Sequence, residues 1–161
     1  MQNSSELQSV GEVRMRIEEW LGDEGFKLWK IPDQDTHFSY KLNRDDGHPL
    51  VVLQPRTKAD SIQVVGEIKL NKKNQEKLLA IPEKEKRFLL FDLRMGLLST
   101  GCRWKFLPTL ESWNTIQLSK DVFFDGFSKD RFFEIIGTVN RAVTLVCLSL
   151  EWKFDIKSYV S

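Results

Sequence analysis

The sequence predicts an α+β domain in which an antiparallel sheet packs against helices, in the order α-ββββ-αα-ββ-α. Three observations carry the prediction. Runs with strand-like alternation are grouped together and the helical runs are grouped beside them, whereas single alternation of the two would indicate a parallel sheet. One run, His37 to Leu42, alternates strictly, with Phe38, Tyr40 and Leu42 on one face and His37, Ser39 and Lys41 on the other, as a half-buried antiparallel strand requires. The last long run, Ser128 to Phe154, keeps apolar residues three and four apart along its whole length, the spacing of one stripe on a helix.

Taken in order, Val10, Val13, Ile17, Trp20 and Leu21 recur at helical spacing between Ser9 and Gly22, and Gly22 and Gly25 are natural stops. Phe26 to Ile31 and His37 to Leu42 read as strands joined by Pro32-Asp33-Gln34-Asp35. Asn43-Arg44-Asp45-Asp46-Gly47 then supplies the strongest turn signal of the chain. Leu50 to Gln54 and Ser61 to Leu70 complete four strands. Asn71 caps a short helix through Leu79. Pro82 ends it and opens the next, because proline at the first helical position forfeits only an N–H that has no partner there anyway. In that second helix Glu83 and Glu85 suit the positive end of the helix dipole. Phe88, Phe91, Met95 and Leu98 form its apolar stripe, which Leu90, Leu93 and Leu97 broaden up to Gly101. Cys102 to Leu107 and Trp113 to Leu118 make a further hairpin.

The closing helix has Ser128 as its N-cap and Asp130 in its first turn. Phe132, Ile135, Ile136, Val139, Val143, Val146, Cys147 and Leu150 form its core stripe. The opposite side begins with Asp130, Glu134 and Arg141 but continues with Leu145, Leu148 and Trp152. A helix that is apolar on two sides needs two covers, so Leu145, Leu148 and Trp152 are the candidate protein interface, with a homodimer or a protein partner as the second cover.

Composition narrows the function classes. The 161 residues, 41% of them hydrophobic, suit one domain over 9–161 behind a polar N-terminal tail over 1–8 that lacks the apolar core of a signal peptide. A net charge of +1 supplies no global attraction to nucleic acid or to an anionic membrane. No apolar run approaches about 20 uncharged residues, so no membrane span is expected. Two cysteines, Cys102 and Cys147, make neither a disulfide framework nor a cysteine-rich zinc site, and a reducing cytoplasm is the simplest setting.

Several segments resemble an uncharacterised, mostly archaeal family of domains whose fold is similar to that of type III secretion chaperones. The likeness is carried by Val13-Arg14-Met15-Arg16-Ile17 to Trp20-Leu21, by Ile62 to Leu70 running into the Asn71 helix, and by Leu118 to Gly126 leading into Ser128 to Phe133. It spans roughly Val10 to Phe154. The resemblance implies a fold and a habit of homodimerisation, without functional residues or a cargo. This chain has one more strand in its first sheet segment than the secretion chaperones.

Candidate chemistry is sparse. Glu67 and Lys69, two apart on a strand, point the same way. With an upstream Asp45, Asp46 or Asp60, and Glu18 or Glu19 from the first helix, they match the Mg²⁺-binding and charge-stabilising set of restriction-type nucleases. The ordinary reading of the same pair is the solvent side of an amphipathic strand. Asp35, His37 and Asp45-Asp46-Gly47-His48 include metal-ligand residue types without a metal-binding spacing, so no metal is expected. No glycine-rich phosphate loop or Gly-x-Ser-x-Gly occurs and no cofactor is implied. Cys102 would be a nucleophile only beside His37 or His48. From Lys69 to Arg87 seven bases face three acids, a segment able to contact phosphates weakly but without aromatic residues on which bases would stack.

Overall fold

The computed structural model describes residues 10–45 and 47–156. Four helices and six strands follow one another as α1 (Val10–Asp23), β1 (Lys27–Lys30), β2 (Thr36–Asn43), β3 (Leu50–Pro55), β4 (Ser61–Lys69), α2 (Lys72–Ala80), α3 (Glu83–Leu98), β5 (Arg103–Pro108), β6 (Trp113–Phe123) and α4 (Lys129–Phe154). The predicted order is therefore the observed one, and the strands form a single antiparallel sheet, β1-β2-β3-β4-β6-β5. β6 is longer than its sequence suggested. Its alternation runs on through Val122 and pairs the whole of β4, from Ser61↔Phe123 to Lys69↔Thr115.

The core lies between α4 and one face of the sheet. Ile62, Val64 and Ile68 on β4, Val52 on β3, and Ile116, Leu118 and Val122 on β6 are all fully enclosed there. Gly66 is the point of closest approach: a Cβ built on it would stand 2.4 Å from the Val143 side chain and 3.3 Å from those of Leu50 and Val139. α1 covers the same face through Val13, Ile17 and Leu21. The β4 and β6 residues in between, Gln63, Val65, Glu67, Gln117, Ser119 and Asp121, project from the other face, which no helix among the described residues covers.

The caps act as their residue types dictate. Asn71 Oδ1 accepts from the Asn74 N–H at the start of α2, and Ser128 Oγ accepts from the Arg131 N–H at the start of α4. Gly25 ends α1 at φ 78°, where a side chain would be strained, while the Phe26 N–H returns to the Leu21 carbonyl. α4 closes in the same manner on Asp155 at φ 49°, and Ile156, whose N–H reaches the Leu150 carbonyl, tucks completely into the core.

α3 departs from expectation. Its buried residues are Leu89, Leu93 and Leu97, whereas Phe88, Phe91, Met95 and Leu98, read from the sequence as its apolar stripe, stand 53–62% exposed. Both sets have helical spacing. The leucines take the inner side, where they join the same buried apolar cluster as Phe106, Trp113 and Ile116.

Candidate functional site

The outer surface of α3 and α4 is the feature that the fold leaves unexplained. The two helices run antiparallel and touch closely: the Leu145 side chain stands 3.1 Å from where a Gly96 Cβ would lie, and Lys153 pairs with Asp92. These two contacts fix the register of the pair. They put Met95 level with Leu148 and Phe91 level with Trp152, one turn apart. On α3 the exposed stripe lies opposite the Leu89, Leu93 and Leu97 core stripe. On α4, Leu148 and Trp152 lie just outward of Leu145. The surface therefore presents Phe88, Phe91, Met95, Leu98, Leu148 and Trp152 together, with Trp152 89% exposed.

At about 200 Å² for a fully exposed aromatic side chain, these six residues offer roughly 700 Å² of apolar surface. That exceeds the usual largest patch on a monomer, about 300–600 Å². Of the interface predicted from sequence, Leu148 and Trp152 lie in this patch. Leu145 is half-buried beneath α3 and joins the helices within the chain. The α3 half of the surface was missed because its residues were assigned to the core.

The nuclease set is not brought together. Glu67 and Lys69 do share the uncovered sheet face, but Asp60 precedes the far end of β4, about 23 Å along the strand from Glu67 at the usual rise per residue. Glu18 belongs to the helix side, where it accepts from the Tyr40 hydroxyl, and Asp46 lies outside the described residues. Among the described residues no group of three or more His, Cys, Asp or Glu side chains could hold a metal ion. Among the described residues neither histidine bonds Cys102, whose N–H donates to Thr100 Oγ1; His48 Nε2 contacts Thr144 Oγ1. Burial pushes the Cys102 thiol up, away from thiolate character. The basic segment is scattered, with Lys69 on the open sheet face, Lys77 bound to Asp155 and Lys86 near Glu83.

Two polar clusters are built into the scaffold. Glu18 holds both the Tyr40 hydroxyl and the Arg14 guanidinium, and the Tyr40 hydrogen bond takes its carboxyl below the usual range despite the opposing effect of burial. Burial, aided by that bond, pushes the Tyr40 phenol up to about 12. On the other sheet face Asp121 takes Lys58 at 2.8 Å, Arg103 at 2.7 Å and Gln63 at 3.3 Å. Burial alone would raise its carboxyl, but these partners together lower it.

The fold and surface thus define a small helix-backed sheet domain with an apolar helix pair facing outward. The chain belongs to the family described as an uncharacterized conserved protein, DUF2299, whose profile matches residues 13–150. A solved structure of an uncharacterized protein from the archaeon Methanothermobacter thermautotrophicus is similar to it, with 27% identity and a TM-score of 0.80 over 88% of this chain and 98% of that one. YbjN, a putative transcription regulator from E. coli, shares the fold at 10% identity and a TM-score of 0.52, over 91% of this chain and 93% of its own. No curated protein matches the chain.

Proposed function

We propose that this chain is a protein-interaction domain, chaperone-like in its binding, that assembles as a homodimer through the outer face of α3 and α4. The observation that carries the reading is the apolar surface of Phe88, Phe91, Met95, Leu98, Leu148 and Trp152. Its roughly 700 Å² matches the share of about 800 Å² that each partner contributes to a standard interface, once the flanking charged side chains are added. Aromatic residues and methionine supply much of it, the residue types enriched where proteins meet. A second copy is the partner this size favours, because one patch then covers its own twin without any other surface being needed.

The setting proposed is the cytoplasm, in keeping with two free thiols. α4 is long and apolar enough to cross a membrane by length and composition, but its core stripe is already enclosed by the sheet. An extended segment of another protein is the cargo a chaperone-like domain would hold, and the uncovered sheet face leaves room for it.

The test is hydrodynamic. Sedimentation equilibrium at tens of micromolar should find the wild type as a dimer and Leu148→Asp as a folded monomer. A wild type that sediments as a monomer refutes the reading.

A further inference from the structure

We infer that the two copies are related by a two-fold axis running along the α3–α4 seam, so that α3 of each subunit lies on α4 of the other. This rests on the homodimer reading above and adds the orientation of the partner. When two identical helix pairs meet face to face, the axis lies in the interface and has two simple choices. Along the helices, it lays α3 on the partner's α4. Across the helices, it lays α3 on the partner's α3 and α4 on the partner's α4.

Charge decides between them. Beyond the apolar stripe, the edge of α3 away from α4 carries Arg87 and Arg94, both exposed and without an ion pair among the described residues. The corresponding edge of α4 carries Glu151, exposed and also without an ion pair, and then Asp155, whose side chain is 82% exposed despite its contact with Lys77. One edge is basic and the other acidic.

With the axis across the helices, the two α3 copies would lie antiparallel on one another, so the basic edge of each would meet the other's, Arg87 near the partner's Arg94, and the acidic edges of the two α4 copies would meet likewise. Like charges so placed are destabilising, the more so beside an apolar patch that excludes water. With the axis along the seam, the helices keep their levels. Phe91 and Met95 then pack on the partner's Trp152 and the partner's Leu148. The same register brings Arg94 within a turn of the partner's Glu151, and Arg87 beside the partner's Asp155. Each contact occurs twice in the dimer.

The experiment is charge reversal read by sedimentation equilibrium, with circular dichroism to confirm that each variant is folded. Arg94→Glu and Glu151→Arg should each weaken dimerisation about tenfold, since each reversal turns two attractions into two repulsions. The double variant Arg94→Glu/Glu151→Arg should return to within a few-fold of the wild type. Single variants that dimerise like the wild type would overturn the inference while leaving the homodimer intact, and an Arg94→Gln or Arg94→Glu variant that dimerises more tightly would overturn it in favour of the across-helix axis. A monomeric wild type would remove both.

Discussion

At Gly66 a single missing methyl group sets the distance between sheet and helix. A Cβ there would fall 2.4 Å from the Val143 side chain, and valine, stiff at χ1, cannot swing away. Gly66→Ala should cost about 1–3 kcal/mol of unfolding free energy by urea denaturation, through displacement of α4. The Glu18–Tyr40 bond acts at the same scale. Glu18 and Asp121 both ionise more readily in the folded chain, so the stability they supply is present above the unfolded carboxylate range and is lost as pH falls through their lowered folded values. Tyr40 is shifted the other way, from 10.0 to about 12, so its contribution is full below pH 10 and disappears as pH rises towards about 12. Urea midpoints measured against pH should therefore fall at both ends, and Tyr40→Phe should flatten the alkaline limb. None of this was legible in the sequence. Glu18 and Tyr40 are separated by 22 positions, and Gly66 looks like any glycine in a strand until a helix is laid across it.

α3 shows how much of an element can be read and where reading stops. Its start at Pro82, its length and the stop near Gly101 all follow from local chemistry, and the start is where the structure has it. Its inward face was not readable, because two apolar stripes of equal period compete and size alone favours the phenylalanines. In the folded chain Leu89, Leu93 and Leu97 are the enclosed ones. The two stripes should answer differently to truncation. Leu93→Ala should lower unfolding free energy by about 2–5 kcal/mol, as a fully enclosed leucine does. Phe91→Ser should leave the subunit's stability within about 0.5 kcal/mol yet loosen self-association, which denaturation of monomer and dimer at different protein concentrations separates. α4 was legible at both ends of the argument: Ser128 caps it, its core stripe is buried except for the half-buried Cys147, and its second apolar side remains open at Leu148 and Trp152.

For the whole molecule, the fold class and element order were legible because alternation and helical spacing are written locally, turn by turn. Strand order was not. The sequence shows hairpins, yet nothing local says that β6 inserts beside β4 and leaves β5 at the sheet's edge. That pairing decides which face α4 covers and therefore which residues of α3 are left outside.

The same β4–β6 join also bears on how the chain reaches its native state. Its innermost pair is Lys69 with Thr115, so this ladder cannot start until the helices and β5 between them have been gathered into a loop, and the entropic cost of that closure precedes any reward from the ladder itself. The meander up to β4 and the hairpin of β5 and β6, by contrast, join neighbours in sequence. Contacts between residues as far apart in sequence as those of the β4–β6 ladder slow folding in general, so replacing Ile68 or Ile116 there by alanine should change the unfolding rate more than the refolding rate if the ladder closes late.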